Sequence, residues 1–371
     1  MDGVEAELTR SLDPGSFVHL HARSWYSFLR GGSSPEAMVA RAAELGQPAV
    51  AVTDFMSVSG AVKLQVAARR AGINPVVGAE VMLDGCPLVL LAASNEGYGT
   101  LNRLLTRAFE GRQAAEERDD ATLTLDALAD DNAGLLLLTG GREGKLRGLL
   151  ERREHASALE WAQELKGLMP GRVFVELSTH RRPGEGRVLQ RLGELARTAG
   201  LPAVASNDAR HATADDWFLY DLLSCVRLGV TVHDRHAERP VNDEAHLKSA
   251  AEMRRLVFDP AARANTLAIA RECSLDLLPG HITPPGAIVP HGSTPREHLR
   301  VLCAAGLQER YRGKDISPAQ AQLERELAVI EGLDLSDFFL VVHEVVHFAR
   351  QRGIRCAGRG SAANSIVAYV L

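Results

Sequence analysis

Residues 17–54 read "FVHLHARSWYSFLRGGSSPEAMVARAAELGQPAVAVTD", and this stretch decides the fold. The run "FVHLHA" (17–22) is short, largely apolar and without helical period, which predicts a strand. "SPEAMVARAAELG" (34–46) predicts a helix, with Ser34 as N-cap, Pro35 at the first helical position and Gly46 past the end. "AVAVTD" (49–54) predicts a second strand. A strand, a helix and a second apolar strand in this order point to parallel β-structure buried on both faces.

Working outward, the pattern repeats. Further strands are predicted at 75–83, 88–94, 134–140, 173–178 and 202–208, and helices at 57–71, 97–109, 155–168 and 185–199. The number of repeats suits a β/α barrel or a doubly wound sheet. No G-x-G-x-x-G follows the first strand, which counts against the dinucleotide-binding version. From about residue 240 the strand-like runs stop. Helices are predicted at 245–257, 260–272, 295–311, 317–332 and 335–352. The Pro/Gly-rich stretch 277–295 separates the second of these from the third and reads as a linker or extended loop.

The chain has 371 residues, enough for two or three domains, and a formal net charge of −5. That balance does not suit a free-standing basic nucleic-acid module. The five cysteines are scattered, odd in number and without a C-x-x-C pair, as expected in a reducing cytoplasm. The amino terminus lacks the apolar segment of a signal peptide, and no apolar run is long enough to span a bilayer.

The polar residues of the first part fall at strand ends. His19 and His21 end the first strand, Asp54 ends the second, and Glu80 lies in the third. His180 follows "VFVELS", and Asp208 ends "PAVASND". In a parallel β/α architecture the carboxyl ends of the strands converge on one mouth. Histidines and carboxylates gathered there suit divalent metal and the activation of water against a phosphate ester.

Two other motifs stand out. "HEVVH" (343–347) has the H-E-x-x-H spacing of zinc proteases, but no His, Asp or Glu follows it to supply a third ligand. One polar face of an amphipathic helix is the simpler reading. "GRGSAANS" (358–365) is a glycine turn of the kind that lets backbone N–H groups approach an anion at a helix start. Read locally, it is equally a serine-capped turn with small residues for close packing. His233, His236 and His246 have no evident partner set, and the charged run 114–121 reads as a solvated loop.

The segments 17–54, "VVGAEV", "LVLLAASNEGYGTLNRLLTRA" and "VFVELSTHRRPGE" resemble the polymerase-and-histidinol-phosphatase (PHP) domain that begins bacterial C-family DNA polymerases. "LDLSDFFLVVHEVVHFARQRGIRCAGRGSAANSIVAYVL" is similar to the start of that family's palm domain. "GRGSAANS" and Arg30 resemble the error-prone branch. The resemblance implies a PHP-type β/α barrel over 1–240, a connecting region over 241–295, and an incomplete, mostly helical palm segment over 296–371. It implies metal positions at His19, His21, Glu80, His180 and Asp208, and a nucleotide-triphosphate pocket at Gly358, Arg359, Gly360 and Ser361. Mg²⁺ for polymerisation, Zn or Mn at the PHP site, and DNA and dNTP as partners follow from the same resemblance.

The PHP pattern is also broken. Arg30 stands where an acidic ligand is usual, Phe55 replaces a histidine, and Arg210 takes the place of the last histidine, with His211 one position late. A one-residue shift at a strand end turns a side chain to the other face. A degenerate site is therefore expected, with Arg30 paired to Glu80 or Asp208. The palm carboxylates that hold the two catalytic metals in the family come after the glycine turn, so these 371 residues alone are expected not to polymerise. A free-standing PHP phosphoesterase and a non-catalytic interaction module are the alternatives.

Overall fold

The apolar runs become the strands of one curled sheet in a computed structural model, which describes residues 16–110, 121–280, 285–360 and 364–371. The strands are β1 (Ala49–Phe55), β2 (Asn74–Leu83), β3 (Cys86–Ala92), β4 (Leu135–Leu138), β5 (Val173–Ser178) and β6 (Ala203–Ser206). They lie side by side in chain order. β1 and β2 are parallel, as are β4 with β5 and β5 with β6.

β3 departs from the parallel expectation by running antiparallel to both neighbours. Its cause is the two-residue turn Asp84–Gly85, with φ of 47° and 77°. Two successive positive φ values make a tight hairpin, and Asp-Gly is a favoured pair for it.

The predicted first strand is instead an extended segment joined to both edges of the sheet. His19 bridges Val50 of β1, and Ala22 bridges Ala209 just after β6. The Ala51 N–H donates to His19 O, and the Arg23 N–H to Ala209 O.

Helices cover the strand connections. They include α1 (Pro35–Glu44), α2 (Ala61–Ala71), α3 (Asn95–Glu110), α4 (Leu125–Asp130), α5 (Lys145–Glu151), α6 (His155–Leu168), α7 (Glu185–Ala199), α8 (Trp217–Leu228), α9 (Ala250–Leu256) and α10 (Pro260–Glu272). α1 starts as read, with Ser34 Oγ accepting from the Ala37 N–H. α4, α5 and α8 have no counterpart among the predicted helices.

Period-two alternation explains where the site forms. One face of the sheet carries Ala49 and Ala51, Val76, Val89 and Leu91, Leu136 and Leu138, and Val204. These pack with Leu267, Ile269 and Ala270 of α10. Continuing along the same face, β2 reaches Glu80 and β5 reaches Glu176. The apolar end of this face is closed by α10, and its polar end opens at the mouth.

Two units separate within the chain, Met1–Pro279 and Gly280–Leu371. Residues 241–279, read from the sequence as a connection, belong to the first. Met253 and Val257 join its largest core cluster, and α10 closes the sheet. The second unit contains α11 (Pro295–Arg310), α12 (Ser317–Gly332), α13 (Ser336–Gln351) and α14 (Ile366–Val370). Leu299, Cys303, Leu307, Leu323, Leu327, Ile330, Leu340, Val367 and Val370 form its core. A Thr294–Glu297 capping box starts α11. No described helix is long and apolar enough to cross a membrane.

Candidate functional site at the barrel mouth

His21 sits at the centre of the polar face, almost fully buried. Its Nδ1 lies 2.8 Å from Glu176 Oε1, and its Nε2 lies 2.8 Å from Glu80 Oε2 and 3.3 Å from Asp208 Oδ1. A neutral imidazole carries one N–H, yet both ring nitrogens here face carboxylates. Both hydrogen bonds form only if the ring is protonated. Burial alone would lower the His21 pKa, but Glu176 and Asp208 outweigh it and hold it well above the ordinary value.

Two arginines complete the charge balance. Arg23, also buried, bonds Glu80 Oε2 through Nε at 2.8 Å and again through Nη2. Arg210 Nη2 donates to Asp208 Oδ2 at 2.8 Å. Burial would raise the Glu80 pKa, but Arg23 and His21 overcome this and bring it to about 2. Three cationic groups thus face Glu80, Glu176 and Asp208. Asp208 is held at φ 42°, the left-handed region that a non-glycine residue seldom adopts.

The other sequence-derived positions divide. His180 lines the mouth cavity with Asp208, and its Nε2 lies 2.6 Å from Asn207 O. Burial lowers its pKa. His19 does not join the cluster of gathered ligand atoms; its Nε2 faces the Lys248 backbone instead, 2.9 Å from the nitrogen and 3.0 Å from the carbonyl oxygen. Asp54 accepts from the Ser24 N–H and from the Ser24 and Ser27 hydroxyls, so it pins the loop after the first segment. His211 turns aside as the register argument requires, with Nδ1 2.6 Å from Thr213 O.

The expected pairing of Arg30 is corrected. Arg23 takes Glu80 and Arg210 takes Asp208, while the Arg30 guanidinium lies over the Phe55 ring at 4.5 Å. Arg23 and Glu176 were missed by sequence reasoning. For Glu176 the signal was present: a carboxylate inside the apolar run "VFVEL" is a buried charge that needs a partner.

Within the second unit, His343 and His347 stack on α13 with ring centroids 5.9 Å apart, and His347 Nε2 lies 2.8 Å from Gln351 Nε2. Gly358, Arg359 and Gly360 are exposed; Ser361 lies outside the described residues. The helix after the turn starts at Ile366, where Ser365 Oγ accepts from the Ala368 N–H.

Among the described residues one group has metal-ligand geometry. Single atoms of His21, Glu80 and Asp208 lie within 4.8 Å of one another. Glu80 Oε1, Glu176 Oε2 and Asp208 Oδ1 are buried without a hydrogen-bond partner, which leaves acceptor capacity for one cation. Glu80 and Asp208 already carry arginines, and the histidine carries two protons. An ion at the triad would require deprotonated His21 and displacement of Arg23, and a multi-ion cluster does not fit this donor set.

Residues 19–180, which include His21 and Glu80 and most of the curled sheet, match the PHP domain family. Residues 297–371 match the bacterial DNA polymerase III alpha NTPase domain. The chain is thus a relative of bacterial C-family DNA polymerases. It is 41% identical over 370 residues to an error-prone DNA polymerase of Symbiobacterium thermophilum, covering 96% of this chain and 34% of that protein. It is 34% identical to the DNA polymerase III subunit alpha of Escherichia coli K12, covering 96% and 32%. An amidohydrolase from Chromobacterium violaceum overlaps 53% of this chain and 88% of its own at 15% identity and a TM-score of 0.38. The chain spans about a third of the length of the curated relatives it matches.

Proposed function

We propose that these residues form the PHP unit and the start of the polymerase core of an error-prone C-family DNA polymerase acting in the cytoplasm. The observation that carries this reading is the similarity of 96% of the chain to polymerases named error-prone or alpha subunit. DNA and dNTP are the partners of the whole enzyme, with Mg²⁺ as its polymerisation ion. Gly358, Arg359, Gly360 and Ser361 contact the incoming triphosphate there. The PHP unit is a scaffold whose buried arginines do the charge balancing that metal ions do in a phosphoesterase. Supplied with Mg²⁺, all four dNTPs and a primed template, the 371-residue polypeptide does not extend the primer. Extension above a heat-inactivated control would overturn that statement.

A second reading rests on the His21–Glu80–Asp208 triad: a PHP phosphoesterase using Zn or Mn. Stoichiometric metal after purification, together with metal-dependent hydrolysis of a chromogenic phosphate ester, would favour it over the scaffold.

A further inference from the structure

The H-E-x-x-H residues at 343–347 have no part in the polymerase reading, yet the fold gives them a definite geometry. α13 is helical from Ser336 to Gln351, so His343 and His347 stand one turn apart on the same face. Their rings stack at 22° with centroids 5.9 Å apart. An imidazole nitrogen binds a zinc-type ion at about 2.0–2.1 Å, which puts the centroids of two rings on one tetrahedral ion roughly 5 Å apart. The separation in α13 is close to that, and small side-chain rotations supply the rest. Both rings have room for such rotations, because His343 is half-buried and His347 is exposed.

The donor chemistry fits as well. Gln351 Nε2 can only donate, so the His347 Nε2 that it faces at 2.8 Å carries a lone pair and no proton. A metal needs a bare nitrogen of this kind. Burial, together with the charges of His347, Arg350 and His298, holds the His343 pKa below the ordinary histidine value. Arg350 opposes a bound cation, but it is solvent-exposed, and at water-like dielectric its repulsion is small beside two metal–nitrogen bonds. A catalytic zinc needs three protein ligands. Among the described residues no third His, Cys, Asp or Glu donor gathers with the pair. The arrangement is a two-point chelate completed by water, and not a protease centre. Two imidazoles select Ni²⁺, Cu²⁺ and Zn²⁺ over Mg²⁺, which takes oxygen ligands.

We propose that His343 and His347 form a chelating site for a borderline divalent transition ion, separate from the His21–Glu80–Asp208 triad. Only the helical turn brings the two rings together, so a bound ion stabilises α13 against unfolding. The site does not depend on the polymerase reading.

The test is a calorimetric titration of the full 371-residue chain, free of any polyhistidine tag, with NiCl₂ near neutral pH. Loss of a residue that only orients a metal ligand costs about 10–100-fold in affinity, so loss of a ligand costs at least as much. Saturable binding is therefore expected, weakened about tenfold or more in His343→Asn and in His347→Asn. His236→Asn alters an exposed histidine outside the pair and keeps the parent's affinity. Excess MgCl₂ does not compete. Circular dichroism checks that the variants fold. On the unaltered chain, one equivalent of Cu²⁺ should give an electron paramagnetic resonance spectrum coupled to two imidazole nitrogens, whereas the barrel triad contains a single histidine. No binding up to about 1 mM NiCl₂ would overturn the proposal. So would parental affinity in either pair variant, a matching loss in His236→Asn, competition by MgCl₂, or a copper spectrum with fewer than two imidazole nitrogens.

Discussion

At the scale of single residues, the site is decided by one guanidinium. Arg23 is buried, stands in bonding contact with Glu80, and neutralises a carboxylate that has no access to water. Removing one partner of a buried pair leaves the other charge uncompensated, which costs ~3–5 kcal/mol. Arg23→Met should lower the urea midpoint of the first unit accordingly, and a loss below ~1 kcal/mol would show that the pair contributes little. His211 makes a pH prediction. Burial, only partly offset by the Thr213 carbonyl, lowers its pKa to about 4. The unfolded chain therefore binds a proton between pH 6.5 and 4 that the folded chain refuses. The stabilisation is fully present above pH 6.5 and drains as pH falls to about 4, by up to ~3 kcal/mol. His211→Asn keeps a donor toward Thr213 O and removes the titration. Urea midpoints measured across this range should fall less steeply in the variant than in the parent.

At the scale of elements, close backbone approach competes with helix propensity. Gly97 lies in α3, where alanine would ordinarily gain ~1 kcal/mol. A Cβ at this position would stand 1.9 Å from Gly134 O, a backbone atom that cannot swing aside. Contact wins, and Gly97→Ala should destabilise by ~1–3 kcal/mol or more as α3 is pushed off the sheet. Gly167, near the end of α6, has no atom within 4 Å of such a Cβ. Gly167→Ala should therefore stabilise by ~0.5–1 kcal/mol. Paired urea titrations check the opposite signs. Long amphipathic helices such as α6, α7 and α10 were legible because tertiary packing and local period agree in them. The direction of β3 was less so: Asp84–Gly85 is a hairpin signal, but apolar runs look alike whether their neighbours are parallel or not. The site was half legible. Strand-end placement found His21, Glu80 and Asp208, whereas Arg23 sits one residue past a strand-like run, where nothing local separates a buried ion-pair partner from a surface arginine. His19 failed because extended backbone alternates sides only where it is regular, and residues 17–22 join the sheet by isolated bridges.

At the scale of the whole molecule, the two units carry unequal cores. The first gathers most of the buried apolar side chains into three clusters, while the second relies on one small cluster over four helices. The most apolar of its three 16-residue helices, α13, leaves Phe338, Val342, Val345 and Phe348 largely exposed. Stability follows the apolar surface removed from water, so a domain of this size with so few buried residues is marginal. The second unit should unfold at lower denaturant than the first, and the chain should depart from two-state behaviour. Trp25, Trp161 and Trp217, the chain's three tryptophans, all lie in the first unit. Indole fluorescence therefore follows that unit, whereas far-ultraviolet circular dichroism follows the helices of both. In a urea titration the ellipticity should fall in two steps, the first without a matching change in fluorescence. Coincident curves from the two probes would mean that the units unfold together and that the smaller core draws its stability from the larger.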